Sequence, residues 1–369
     1  MKSINGNIKN LNEKLFGRFS VRNSIFTKKR ILFCENRPFI TWGIIAYIVP
    51  KGKSFNTNTP ILEIEDDIPF ADGDIIAIQK NGTANVVWEV NTKHNALYVT
   101  DICNSKCIMC PQIERILPRY KECSTILDIV NLKNINEIGI TGGEPTTDIN
   151  RLIELLKKIA KKSPKIKVHI LTNGRCFADI NNVMKMISLK DVQISYGIPL
   201  YSDVAEIHDY IVGVDGAFKE TLQGIYNLGK YKQNIEIRTV ILKQNYMQLK
   251  DLAVFIYRNI PFINHVVLMG MEYHGNAEIN YDLIAIDPIE YKQELFESVR
   301  EYVRYNLNID IYNIPLCLVD KRIRKFCRDS ISTWKKIYLP QCELCKCKNK
   351  CSGVFETSFK QSSNIQSLL

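Results

Sequence analysis

A chain of 369 residues with 46% hydrophobic and 24% charged content can bury one large catalytic domain with one or two small appendages. Its longest apolar run, 39–49, is far short of the roughly 20 residues of a membrane helix, and its polar N-terminus lacks the apolar stretch of a secretion signal. No membrane partner is therefore expected, and the expected location is cytoplasmic. The formal net charge of +10 comes from lysines and arginines spread along the chain, a pattern of solvated surface more than of a nucleic-acid interface.

Residues 1–94 read as a separate, mostly β segment. Apolar runs at 39–49, 61–64, 75–78 and 86–90 are broken by turn signals, Asp72-Gly73-Asp74 and Asn81-Gly82. Asn-Gly between apolar runs is a strong hairpin cue, because both residues accept the positive φ of a tight hairpin turn. From about residue 95 the rhythm changes. Six strand-like runs follow, at 97–100, 137–141, 167–172, 192–197, 235–242 and 265–271, with helical periodicity between several of them. In the clearest case Leu152, Leu155, Leu156 and Ile159 share one helical face. This alternation predicts an α/β core over 95–306 with a parallel sheet, whose ligands collect at the carboxyl ends of the strands. Asp287 as N-cap, Pro288 at the first helical position and Glu290 three residues after the cap predict a further helix running to about residue 306. The stretch 307–357 is cysteine-dense and less regular, and 358–369 is a polar tail.

Twelve cysteines without an export signal are better read as ligands than as disulfides. Cys103, Cys107 and Cys110 follow the first core strand with C-x3-C-x2-C spacing. A 4Fe–4S cube has four irons, each needing an external ligand, so three thiolates on one tight loop leave one iron open. Zinc sites recruit four ligands, often as C-x2-C pairs. This loop offers no histidine and no fourth cysteine nearer than Cys123. The second core strand ends in Thr141-Gly142-Gly143-Glu144-Pro145-Thr146, where glycines permit close backbone approach to a ligand and Glu144 can pair with an ammonium group.

Placed one β–α unit after the cysteine loop, this turn resembles the radical S-adenosylmethionine (SAM) superfamily, across roughly residues 96–275. The resemblance implies a partial (β/α)6 barrel, in agreement with the six strands counted. It implies a 4Fe–4S cluster on Cys103, Cys107 and Cys110 that cleaves SAM reductively to a 5′-deoxyadenosyl radical. Gly142, Gly143, Glu144 and Pro145 would then bind the amino group of SAM, and Thr172 and Asn173 would lie beside it. Ser195 would contact the ribose, Arg238 the carboxylate, and Met271 would flank the adenine. Met109, inside the cysteine loop, is grouped with these cofactor-binding residues. For Ser195 and Arg238 a surface hydroxyl and an ordinary ion pair are the alternatives.

Further on, Cys342, Cys345 and Cys351 have C-x2-C-x5-C spacing, with Cys317 upstream. This resembles the SPASM and twitch extensions of radical SAM enzymes that modify peptides. The pattern is incomplete, since Phe355 stands where its last cysteine would be. One auxiliary 4Fe–4S cluster on Cys317, Cys342, Cys345 and Cys351 is expected, with Cys327 and Cys347 as spare or substitute ligands and a zinc knuckle as the alternative. Cys34, Cys123 and Cys176 are isolated and read as core thiols.

Five stretches resemble the His-Xaa-Ser system radical SAM maturases of the C type: 100–110, Ile207-His208-Asp209-Tyr210 with Gly216-Ala217-Phe218, 268–272, 330–334 and 338–342. That likeness implies post-translational modification of a ribosomally made precursor peptide, beside a sister radical SAM protein. An electron donor such as flavodoxin or ferredoxin is expected with it. The N-terminal β segment would dock the peptide or the sister protein, or simply cover the barrel. An RNA substrate and a non-catalytic iron–sulfur subunit are the competing readings.

Overall fold

The computed structural model describes residues 2–24, 26–92, 94–112, 117–133 and 135–369. Its N-terminal part is a closed barrel of seven strands: β1 (Ser3–Lys9), β2 (Leu15–Ser20), β3 (Arg30–Phe33), β4 (Ile44–Pro50), β5 (Ile61–Ile64), β6 (Ile75–Ile78) and β7 (Thr83–Trp88). Their order is β1-β5-β4-β3-β2-β6-β7, and β1 closes the ring by pairing antiparallel with both β5 and β7. Closure leaves no unpaired strand edge, and Phe19, Ile31, Ile48, Leu62, Ile76 and Ile78 fill the interior.

The Asn81-Gly82 signal is the β6–β7 hairpin. Gly82 has φ of 83°, and a Cβ there would lie 1.9 Å from the Gly6 carbonyl oxygen. The turn thus needs glycine both for its own backbone and for the approach of β1. The expected run 39–49 divides: only Ile44–Pro50 is strand, and Phe39, Ile40 and Trp42 are exposed in the loop before it.

The second layer is an open, all-parallel sheet of β8 (Ala96–Tyr98), β9 (Glu137–Thr141), β10 (Lys167–Leu171), β11 (Gln193–Pro199), β12 (Asn234–Val240), β13 (His265–Met269) and β14 (Ile309–Tyr312), in sequence order. Each of the six expected core runs overlaps one strand. The seventh, β14, lies past the expected core boundary at 306, because four residues with one aspartate carry too little apolar signal to stand out.

Helices α1 (Tyr120–Ile129), α2 (Ile149–Lys162), α3 (Ile180–Ile187), α4 (Ala205–Val212), α5 (Ala217–Lys230) and α6 (Leu249–Asn259) fill the crossovers up to β13. Helices α7 (Asn276–Ile279), α8 (Tyr281–Ile284) and α9 (Lys292–Arg304) follow before β14. The α2 stripe is buried as its period requires, at Leu152, Leu155, Leu156 and Ile159, each contributing roughly 1.5–3 kcal/mol of gross burial. Asp148 caps that helix by accepting from Arg151 N–H at 3.1 Å.

The Asp287 signal marks a turn rather than a helix start. Ile289 N–H donates to Asp287 Oδ1 and Asp287 N–H to Glu290 Oε1, both at 3.0 Å, but α9 begins only at Lys292. The barrel docks on α1 through Arg18 Nη2, which donates to Ile129 O at 2.9 Å, and through Lys14, which pairs with Glu122 at 2.8 Å.

The C-terminal region is irregular apart from the two-stranded ladder β15 (Lys336–Ile337) and β16 (Val354–Phe355). The tail is polar in composition yet folded back onto the core. Tyr273 N–H donates to Ser358 Oγ at 2.9 Å, the Phe359 ring meets Tyr281 at 5.0 Å, and Ile365 is buried. Among the described residues no helix is long and apolar enough to cross a membrane.

Candidate active site

The loop carrying Cys103, Cys107 and Cys110 leaves the carboxyl end of β8 and is clamped from four sides. The turn after β9 holds its entry: Gly143 N–H donates to Thr100 O at 2.6 Å and Glu144 N–H to Ile102 O at 2.8 Å. A Cβ on Gly143 would lie 2.3 Å from Ile102 O, and one on Gly142 2.5 Å from Thr100 O. These glycines therefore admit the cysteine loop's own backbone, where the sequence suggested approach to a ligand.

On the second side, Lys106 and Ile108 N–H donate to Val212 O and Ile211 O at the end of α4, at 2.9 and 3.0 Å. Gly213 ends that helix with φ of 70°, and a Cβ there would stand 2.6 Å from Lys106 O. Asp209 shapes this corner by accepting from Gly216 and Phe218 N–H, both at 2.6 Å, which gives the Asp209 and Gly216 motif its structural role.

On the third side, Asn276 Nδ2 donates to Cys107 O at 3.1 Å and Asn280 Nδ2 to Ile108 O at 2.8 Å. On the fourth, Asn173 Nδ2 reaches Asn104 Oδ1 at 2.6 Å, and Arg175, paired with Glu220 at 2.6 Å, reaches Asn104 O at 2.7 Å. Sequence reasoning missed Arg175, Gly213, Asn276 and Asn280. Nothing local marks a residue whose partner on the cysteine loop lies 71 or more positions away.

Burial pushes the Cys107 thiol up to about 12, and Cys110 and Cys103 beside it add to the effect. Burial pushes Cys103 up to about 11, with Glu144 and Cys110 adding to it against the Ser105 and Asn104 N–H groups. Burial raises Cys110 as well, and thiols that resist losing their protons suit a group that brings positive charge, as cluster irons do. Among the described residues no three His, Cys, Asp or Glu side chains converge as ligands of a single ion. Met109 is buried in one apolar cluster that also takes in Cys107 and Met271. Pro145 is buried, and its carbonyl accepts the Tyr120 hydroxyl.

Glu144 is 1% exposed. Its Oε1 accepts from Thr146 N–H at 2.9 Å and from the Thr146 and Thr172 hydroxyls at 2.6 Å, and its Oε2 accepts from Asn173 N–H at 2.6 Å. Burial raises its pKa while these donors oppose the rise. It forms no ion pair among the described residues. A buried carboxylate without a cation is costly, and an ammonium group is its natural complement. Thr172 and Asn173 thus orient Glu144, a role nearer to positioning than to direct contact.

Ser195 and Arg238 lie on the polar face of β10 to β14. The apolar alternates on these strands, such as Val168, Ile170, Tyr196 and Ile237, form the opposite, buried face. Ser195 Oγ lies 2.9 Å from His169 Nδ1. Arg238 Nη1 pairs with Glu236 Oε1 at 2.5 Å. Glu236 Oε2 lies 3.0 Å from His265 Nδ1, and His265 Nε2 lies 3.2 Å from Asp310 Oδ2. The sequence marked neither the histidines nor the acids of this row, whose one trace was polar residues at alternate strand positions.

Burial alone would raise the Glu236 pKa, but its bond to His265 and the charges of Arg238 and His169 hold it at about 2. Its bond to Glu236 raises His265 in turn, against burial, and the two shifts are one interaction counted once. Glu236 thus stabilises the fold above its ordinary 4.5, and that contribution disappears as pH falls from there towards 2. The His265 share is present below 6.5 and is lost as pH rises through its higher folded value. Urea midpoints against pH should show Glu236→Gln about 3 kcal/mol less stable near pH 6, with a flatter acid limb. An acid limb identical to wild type would contradict this assignment.

A second thiol site lies in the C-terminal region. Cys317, Cys342, Cys345 and Cys351 line one small pocket, walled by Leu316, Ile337, Leu339, Val354, Ile365 and Leu368. Leu316 N–H points at Cys351 Sγ at 3.4 Å. Cys327 lies beside Cys351 and bridges to Ile311, but neither it nor Cys347 lines the pocket. Phe355 is a buried residue of β16. The isolated thiols pack as ordinary side chains: Cys123 Sγ donates to Tyr98 O at 3.3 Å, Cys176 accepts from Asn182, and Cys34 adjoins the small cluster around Tyr47.

Residues 97–256 match the radical SAM superfamily, so the cysteine loop, the Gly-Gly-Glu-Pro turn and the strands β8 to β12 make up a domain of that superfamily, whose chemistry depends on a 4Fe–4S cluster and SAM. Among curated proteins, a probable GTP 3′,8-cyclase of Thermococcus kodakarensis is 27% identical over 150 residues, 39% of this chain and 46% of that one. An uncharacterized protein of Methanocaldococcus jannaschii is 27% identical over 246 residues, 64% of this chain and 78% of that one. The chain thus spans less than half the length of the first of these relatives. Among solved structures, Streptococcus suis SuiB superposes with a TM-score of 0.46 at 18% identity, covering 61% of this chain and 50% of that one.

Proposed function

We propose that this radical SAM chain modifies a ribosomally made precursor peptide of the His-Xaa-Ser type, working beside a sister radical SAM protein and an electron donor such as flavodoxin or ferredoxin. The observation that supports this best is the second thiol pocket. Four cysteines spread over 35 positions of sequence line one apolar site, as expected of the auxiliary cluster domain that peptide-modifying members carry. A cytoplasmic location fits such a substrate.

Cys103, Cys107 and Cys110 would hold the 4Fe–4S cluster and leave one iron for the amino and carboxylate groups of SAM. Bound there, the cluster would supply the electron for reductive cleavage of SAM. Everything else falls to the chain's own residues. Glu144 meets the ammonium group, and Thr172 and Asn173 fix the carboxylate. Asn276, Asn280 and Arg175 hold the loop carbonyls, so the thiols stay where the sheet presents them. The row from His169 to Asp310 gives the sheet a polar face suited to a histidine- or serine-bearing substrate.

The test is anaerobic incubation of the reconstituted chain with SAM, a reductant and a synthetic His-Xaa-Ser repeat peptide, with and without the sister protein, read by mass spectrometry. GTP and tRNA serve as parallel substrates, GTP because several curated relatives are named for it. The proposal predicts 5′-deoxyadenosine together with a mass change on the peptide alone. A change confined to GTP or tRNA contradicts it, and so does a chain that makes no 5′-deoxyadenosine under any condition.

A further inference from the structure

The end of the tail covers the second thiol pocket. Ile365 and Leu368 are part of its lining, and Ile365 is 6% exposed. Between them the backbone turns amides inward: Leu368 N–H points at Cys345 Sγ at 3.5 Å, and the Gln366 amide faces the Cys317 thiol and opposes the rise that burial gives its pKa. The segment is tied down on its outer side, where Lys346 N–H donates to Leu368 O at 3.0 Å and Ser367 Oγ to Gln341 O at 2.5 Å. Upstream, Gln361 Nε2 anchors it to Phe355 O at 2.6 Å.

We propose that residues 365–368 are a lid and a hydrogen-bond donor set for the auxiliary cluster, fixing its reduction potential and its exposure to solvent. This rests on the reading that Cys317, Cys342, Cys345 and Cys351 hold that cluster. The physical reason is charge. A cluster on four thiolates is anionic and becomes more so on reduction, so N–H groups aimed at its sulfurs favour the reduced form. With Leu316 N–H on Cys351, the tail amides bring donors to three of the four sulfurs. The two aliphatic side chains keep water from the same atoms. A tail that merely packed against the domain would need no amide aimed at a sulfur.

The experiment uses the full chain with Cys103, Cys107 and Cys110 changed to alanine, so that only the second cluster contributes. Ligating a synthetic 351–369 segment at Cys351 replaces the amides of residues 366 and 368 by esters, which removes both donors and keeps the shape. The reduced cluster is followed by electron paramagnetic resonance during a redox titration. The midpoint should fall by about 59 mV, a tenfold change in a one-electron equilibrium and about the weight of one hydrogen bond to a charged group. Deleting 365–369 should speed iron loss to a chelator about tenfold at equal initial iron. An unchanged or higher midpoint in the diester overturns the donor role, and an unchanged chelation rate overturns the lid. If the triple-alanine chain binds no iron at all, the cluster reading beneath the proposal has failed instead.

Discussion

Replacing Glu144 by glutamine is expected to raise the KM for SAM about 100-fold, with the iron content unchanged. Among the described residues this buried carboxylate has no cation partner, and removing one partner of a buried ion pair costs about 3 kcal/mol or more. Glutamine is nearly isosteric, so the effect is one of charge and donors. One oxygen can still serve Thr146 and Thr172, but the new NH2 group would face Asn173 N–H across 2.6 Å, donor against donor. Thermal unfolding should therefore reveal a smaller stability loss, about 1–3 kcal/mol. Measured by 5′-deoxyadenosine formation against SAM concentration, a wild-type KM would show that Glu144 serves only its own hydroxyl and amide framework.

Replacing Cys345 by alanine should abolish peptide modification while leaving SAM cleavage running. Cys345 lies in the second pocket, walled by residues of 315–368, and makes none of the hydrogen bonds that clamp the cysteine loop. The first site should therefore assemble normally and keep its about four irons. The predicted signature is uncoupling, in which 5′-deoxyadenosine accumulates without modified peptide. The ratio of the two products, taken from one reaction by mass spectrometry, measures it. Wild-type yield of modified peptide would remove the second pocket from the chemistry.

Much of this arrangement was legible in the residues. Runs such as Glu137–Thr141 and Lys167–Leu171 announce themselves by alternation, with Ile138, Ile140, Val168 and Ile170 buried between more exposed neighbours. The α2 stripe does so by its period. The C-x3-C-x2-C and Gly-Gly-Glu-Pro motifs are local, so spacing alone brought them together. The unread parts share a physical cause. Strand β1 exposes alternate polar residues, and only Ile4 is buried, so its strand character comes from closing the barrel. Glu236, His265 and Asp310 read as surface residues because their partners come from neighbouring strands. The tail read only as polar because its docking rests on a few side chains, Ser358, Phe359, Gln361 and Ile365, and on backbone amides, which composition does not display.

One chain is expected to carry two separate thiol sites for iron–sulfur clusters, one for SAM and one auxiliary. Iron and labile sulfide per chain, after anaerobic reconstitution of wild type and of the Cys103/Cys107/Cys110→Ala variant, test it most directly. About eight irons falling to about four is the predicted result. About four falling to none would contradict it and leave Cys317, Cys342, Cys345 and Cys351 to zinc or to structure.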